Sequence, residues 1–345
     1  MLANIIVKPG RIELQEIKTP KPSDGEILVK IKVALTCGTD IKAFLRGHPM
    51  IPMPGVFGHE FSGIVAKVGK GVRGFKEGDP IMAVHTAPSL KCMFCKKGLY
   101  NLCEKIMHTK VLGAFAEYIL LPSHVVRQNA FHKPKNLSFE EAAFLEPLSC
   151  VVHSIEPLDI KKGDFALIMG AGPIGLLHLI LLKRKGAKVA VSDIKRERLR
   201  IAEELSADLL IPSDPTTSFL KIPPCPPFPK GGVWGFDYVF ECTGKPEVWE
   251  TSVNYLRRGG TLILFGGCEK GTKVTYDTYR LHYDEITIKG SFHYTPDDVK
   301  KSYELIRGGK LGLSRLISGR YPLKDIHKAF DKLSTGVGLK YAIIP

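Results

Sequence analysis

Long apolar runs are missing from this 345-residue chain. The longest apolar stretch, residues 174–182, is interrupted by Gly175 and His178 and is far shorter than the roughly 20 residues that span a bilayer. Cysteine is scarce as well: eight in 345 residues are too few for a disulfide scaffold. The opening residues, MLANIIVKPGR, have no basic n-region, apolar core or small-residue cleavage site, so no secretory leader is expected. No internal repeat is found. Charged residues at 24% and hydrophobic ones at 44% exclude a disordered or fibrous chain. These absences predict a cytoplasmic protein with reduced thiols, in which clustered cysteines signal metal more often than disulfides.

What is abundant is glycine (34), proline (24) and positive charge (+14). The first two predict many tight turns. The charge invites nucleic acid, an anionic membrane or an anionic substrate as partner. At about 150 residues per domain the length suggests two domains, and the texture changes accordingly. Residues 1–148 contain short β-branched runs broken by Gly and Pro, such as 27–33 and 64–68, and predict a β-rich module. From residue 164 onward, apolar strands (165–169, 188–192, 208–211, 236–241, 261–265, 285–288) alternate with helical stretches (174–185, 196–205). That alternation predicts an α/β fold with a doubly wound parallel sheet. A helix is expected at 297–308 and a last strand at 341–344. Residues 223–229, PCPPFP preceded by Pro223, carry five prolines and read as an inserted surface loop.

The run Gly170-Ala171-Gly172-Pro173-Ile174-Gly175 follows an apolar strand and opens a helix. Its first glycine permits the tight turn, the second lets a pyrophosphate approach, and the third allows close helix–strand packing. The helix N-terminus offers free N–H groups to phosphate. Asp193, at the end of the next strand, is placed to bind the ribose hydroxyls and to repel a 2′-phosphate. The motif therefore predicts NAD, with NADP less favoured; Lys195, Arg196 and Arg198 soften that preference. Thr243 and Gly266, beyond two later strands, complete the expected cofactor-binding set.

Cys37 in CGTD, His59-Glu60 in GHEFSG and Glu146 in EPLSC supply thiolate, imidazole and carboxylate, a ligand set suited to Zn²⁺. Three protein ligands plus an open position can bind an alcohol oxygen and lower its pKa. The run GHEFSGIVAKVGKGVRGFKEGD at 58–79 resembles the zinc signature of medium-chain alcohol dehydrogenases. With CGTD before it, and GLYNLC (98–103) and EPLS after it, the resemblance extends along nearly the whole chain. It is greatest to the polyol (sorbitol) and threonine dehydrogenase branch, on the strength of EPLS.

The resemblance implies a split catalytic domain of the GroES-like type at residues 1–148 and 289–345, around a Rossmann domain at 149–288. It implies Cys37 and His59 as catalytic zinc ligands, with Glu60 and Glu146 competing for the third place and Glu146 favoured. Thr39 matches the hydroxyl that takes the substrate's proton. The next relay position, a histidine in classical members, is Lys42. His293 and Tyr294 fall where polyol dehydrogenases bind substrate, His293 replacing an Arg. Cys92, Cys95 and Cys103 match three of four cysteines of the family's structural zinc lobe; the remaining position is Ser89, a poor zinc ligand. A homodimer or homotetramer is the family's usual assembly.

The function expected is zinc-dependent hydride transfer between NAD and a secondary alcohol: a polyol, sugar alcohol or hydroxy amino acid. The alternative is a non-catalytic or nucleic-acid-associated nucleotide-binding protein of the same fold, using the basic charge. The charge is unevenly spread: +7 over residues 1–150, +2 over 151–289 and +5 over 290–345. A nearly neutral cofactor domain argues against nucleic acid and against a membrane partner. It leaves a small-molecule alcohol substrate, with an anionic substrate or entrance as a narrower expectation.

Overall fold

The computed structural model describes residues 1–213 and 235–345, so the proline-rich segment 223–229 lies outside the described residues. The chain divides into two units: Met1–Cys150 with His293–Pro345, and Val151–Phe292.

The first unit is β-rich. Strand Ile27–Leu35 buries its apolar positions and exposes Lys30 and Lys32, the alternation of a half-solvated strand. It pairs antiparallel with Glu60–Val68, with Leu35 opposite Glu60. Both strands run further than their β-branched runs suggest, because pairing continues into 34–35 and back to 60–63. The C-terminal strand Lys340–Ile344 adds to the same sheet with Ala342 opposite Leu35. Pro80–Ala83 continues the sheet beyond Glu60–Val68, and Ala130–His132 closes that side. Between these strands the core is aromatic: Phe57 meets Phe115 and Phe330 edge-on at centroid distances of 4.9 and 5.7 Å.

The second unit is a six-stranded parallel sheet. Its order is Leu209–Pro212, Lys188–Asp193, Phe165–Met169, Phe236–Glu241, Leu256–Leu264, Thr287–Gly290. The first strand in sequence thus lies at the centre, and the order reverses beside it. Ligands of such sheets bind at that switch point, outside the carboxyl ends of the strands. Phe165–Met169 is an unbroken apolar run because both its faces are covered. The strand expected at 261–265 begins five residues earlier, at Leu256. Arg257-Arg258-Gly259-Gly260 reads as a turn, but Arg257 Nε donates to Asp237 Oδ1 at 2.6 Å and the pairing absorbs a register shift near Phe236.

A helix at Leu145–Ile155 has no counterpart in the sequence reading. Pro147 sits in its first turn, where the missing N–H costs nothing. Among the described residues no helix is long and apolar enough to cross a membrane.

Candidate metal and cofactor sites

Strand register builds the first cluster. Leu35 opposite Glu60 brings the residues just outside those strand ends, Cys37 and His59, together. Cys37 caps helix Gly38–Arg46, and its N–H donates to Asp40 Oδ2 at 3.1 Å. The other Asp40 oxygen lies 3.5 Å from His59 Nδ1, an ionic contact between two buried side chains in which that oxygen accepts no hydrogen bond. Burial opposes a charge on His59, but Asp40 and Cys37 outweigh it and raise the ring's pKa well above its ordinary value. Ligand atoms of Cys37, His59 and Glu60 lie within 4.8 Å of one another. Thr39 is half-buried on the first helical turn.

A second buried carboxylate faces a different histidine, His85. Glu146, in the first turn of Leu145–Ile155, lies 3.5 Å from His85 Nδ1, and the His85 and His59 rings are 4.9 Å apart. Its ligand atoms group with those of His85 and His293 rather than with Cys37 and His59. Burial pushes the Glu146 pKa up to about 7. Burial, then the neighbouring His59 and His293, push His85 well below the usual imidazole range, so this ring is neutral at pH 7. Thr86 Oγ1 sits 2.6 Å from His293 Nε2 and donates to Tyr294 Oη at 2.9 Å; Tyr294 Oη lies 3.3 Å from His85 Nδ1.

His85, Thr86 and Asp40 are the site residues missed by sequence reasoning. The only signal was a polar His-Thr pair ending an otherwise apolar strand, and the aspartate of CGTD. Glu60, by contrast, has both oxygens on Lys340 Nζ, at 2.7 and 2.5 Å. No Lys or Arg pairs with Glu146 among the described residues. The donor types in this cluster fit a Zn²⁺ ion.

The three-cysteine lobe also assembles. Cys92 caps the short helix Met93–Lys96, Cys95 lies on it, and Cys103 follows the turn Tyr100–Leu102. Their sulfurs lie within 4.8 Å of one another. N–H groups of Cys95 and Glu104 hold the Cys92 pKa down at about 6, whereas burial raises that of Cys95.

In the second unit the glycine turn forms as the motif requires. Helix Pro173–Arg184 starts at Gly172, with Pro173 and Ile174 opening its first turn. A Cβ on Gly175 would stand 1.9 Å from the Gly170 carbonyl oxygen, so that helix could not pack there with any side chain. A Cβ on Gly172 would meet no protein atom within 4 Å; the space above the turn is open to a ligand. Asp193 ends its strand with Oδ2 accepting from Ala171 N at 2.7 Å and Oδ1 from Lys195 N at 2.8 Å. Arg198 Nη1 lies 4.0 Å from the same carboxylate. Thr243 and Gly266 follow neighbouring strands, where Glu241 accepts from Thr243 N (2.6 Å) and Gly244 N (2.9 Å). The basic run 183–185 is ion-paired: Lys183 to Asp208 at 2.6 Å and Lys185 to Glu156 at 3.7 Å.

A switch-point dinucleotide turn in one unit and a Cys/His/carboxylate cluster in a β-rich unit together define a metal-binding oxidoreductase. The chain belongs to the zinc-binding medium-chain alcohol dehydrogenase family, on its polyol dehydrogenase branch. Residues 23–130 match the alcohol dehydrogenase GroES-like domain, and residues 173–308 match the zinc-binding dehydrogenase domain. D-arabinitol dehydrogenase 1 of Uromyces fabae is 31% identical, with 100% of this chain and 97% of that protein covered. Sorbitol dehydrogenase of Halalkalibacterium halodurans is 30% identical over 97% of this chain and 96% of its own. A zinc-binding dehydrogenase of Sinorhizobium meliloti, crystallised with NADP, superposes with a TM-score of 0.86 at 30% identity, covering 100% of this chain and 99% of the other.

Proposed function

We propose that this chain is a zinc-dependent, NAD-linked dehydrogenase that oxidises a secondary alcohol of the polyol class. The observation that carries the reading is the Cys37–His59–Glu60 cluster, with a second group of Glu146, His85 and His293 whose His85 ring lies 4.9 Å from His59 and is hydrogen-bonded through Thr86 and Tyr294. Cys37 and His59 are two ligands of the ion. Glu146 is the third, because Lys340 already occupies both oxygens of Glu60. When bound, zinc supplies the Lewis acidity that lowers the alcohol's pKa, and the nicotinamide supplies the hydride acceptor.

The chain's own residues do the rest. Asp40 stands beside the His59 ring, and the Thr39 hydroxyl takes the proton leaving the substrate. Beyond it stands Lys42 in place of a histidine, so a cofactor hydroxyl or water carries the proton onward. His85, held neutral, offers hydrogen bonds without charge. That suits a polyhydroxyl substrate better than an anionic one, and it accords with relatives named for arabinitol and sorbitol. Asp193 selects NAD by repelling a 2′-phosphate, although a relative binds NADP. The cofactor contacts are those of the glycine turn, Asp193, Thr243 and Gly266. The protein is cytoplasmic and forms homodimers or homotetramers, without nucleic-acid or membrane partners.

The test follows nicotinamide absorbance with sugar alcohols, vicinal diols and threonine, using NAD and NADP, before and after zinc removal. Polyol turnover with NAD that disappears on chelation is expected. Cys37→Ser and His59→Ala should abolish turnover and leave NAD binding intact. Full activity after complete zinc removal would refute the proposal.

A further inference from the structure

The cysteine lobe reads, by sequence, as a zinc site with one ligand missing. Its geometry says otherwise. Four donors at the corners of a zinc tetrahedron, with Zn–S about 2.3 Å and Zn–O about 2.0 Å, stand about 3.8 Å apart for sulfur pairs and about 3.5 Å apart for sulfur and oxygen. Here Cys92 Sγ and Cys95 Sγ are 3.5 Å apart. Ser89 Oγ lies 3.4 Å from Cys103 Sγ and 3.9 Å from Cys95 Sγ. These three separations are close to those of ligands on one tetrahedral ion, with the hydroxyl beside two of the three sulfurs.

The surroundings suit it to that place. Lys91 N donates to Ser89 Oγ at 3.3 Å, which fixes the hydroxyl in place and leaves its second lone pair for a ligand. Ser89 N donates to Cys103 Sγ at 3.3 Å, which ties the Ser89 backbone to that sulfur. The sulfur separations are those of metal ligands; a disulfide would bring two of them to about 2.05 Å.

We infer that Ser89 is the fourth ligand of this lobe, making it a three-thiolate, one-hydroxyl site for a thiophilic divalent cation that exchanges with solution. An oxygen donor holds such an ion less firmly than a thiolate, and Ser89 and Cys92 are only half-buried, whereas Cys95 and Cys103 are buried. The lobe is therefore a reversible metal site rather than a closed structural knot.

The test isolates the lobe in a Cys37→Ser/His59→Ala/Glu146→Gln chain, which breaks both other groups of ligand-type side chains whatever their role. The protein is loaded with Zn²⁺, and release to a chromogenic chelator is followed. One ion per chain is expected, leaving on the order of tenfold faster from the Ser89→Ala variant and on the order of tenfold slower from Ser89→Cys. Loading with Co²⁺ gives a second reading: sulfur-to-cobalt charge-transfer absorption should correspond to three thiolates, rising to four in Ser89→Cys. Equal release rates for the parent and Ser89→Ala, no bound ion, or a cobalt spectrum unchanged by Ser89→Cys would each overturn the inference. If Ser89→Ala does not fold, the Ser89→Cys release rate and the two cobalt spectra decide it.

Discussion

Lys340 Nζ reaches both carboxylate oxygens of Glu60, at 2.7 and 2.5 Å, across 280 residues of sequence, and both side chains are buried. The ammonium also donates to the Thr36 carbonyl at 2.9 Å. Burial disfavours the Lys340 charge, but Glu60 and nearby Cys37 outweigh it and raise its pKa. This is a buried pair that can be broken only at a cost. Lys340→Met should lower stability by about 3–5 kcal/mol, since a carboxylate is left buried without compensation. Glu60→Gln/Lys340→Met should recover most of that loss. Urea unfolding of the three proteins measures both effects; a single Lys340→Met variant as stable as the parent would contradict the ion pair's role.

The buried Asp40 carboxylate lies 3.5 Å from His59 Nδ1. Asp40→Asn keeps the shape but weakens the hold on His59 Nδ1, and zinc affinity at Cys37/His59 should fall roughly 10–100-fold. Equilibrium dialysis against buffered zinc reads this directly. Unchanged affinity would mean that the 3.5 Å contact with His59 is incidental.

Cofactor choice is predicted to rest on Asp193. In Asp193→Ala the KM for NAD should rise roughly tenfold or more while that for NADP falls, because Arg198, 4.0 Å from the carboxylate, is then available to a 2′-phosphate. The comparison is of kcat/KM for the two cofactors. A ratio identical to that of the parent would remove Asp193 from the specificity reading.

The last prediction concerns pH. His178 is fully buried in helix Pro173–Arg184, 2.8 Å from Ser154 Oγ and 2.9 Å from the Ile174 carbonyl. Burial lowers its pKa from 6.5 to about 4. Between those values the unfolded chain takes up a proton that the folded chain refuses. The stability contributed by the neutral ring is complete above pH 6.5 and is lost as pH falls towards 4. From pH 6.5 to 4.5 the parent should lose about 2 kcal/mol more stability than His178→Gln. Parallel slopes for the two proteins in that window would refute it.

Legibility tracked distance along the chain. The glycine turn at 170–175, the strand before it and the acid after it are local, so residue type and order were enough to place them. Cys37 and His59 were legible through short motifs on either side of a hairpin-like pairing. The N-terminal extension of the strand at 256 was hidden because Arg257 and the glycines after it mimic a turn until Asp237 arrives from another strand. His85 and Thr86 were hidden because a His-Thr pair is chemically unremarkable until Glu146, His293 and Tyr294 converge on it.

The sequence by itself determined the two kinds of sheet, the glycine turn, the cysteine and histidine of the candidate metal cluster, and the family resemblance. Each depends on spacing within a few residues. Tertiary structure alone decided that Lys340 occupies Glu60, that Asp40 lies beside His59, that Glu146 sits against His85, and that the Ser89 hydroxyl lies beside the Cys95 and Cys103 sulfurs. Those four facts follow from strand register and loop closure, which bring together residues that no local pattern connects.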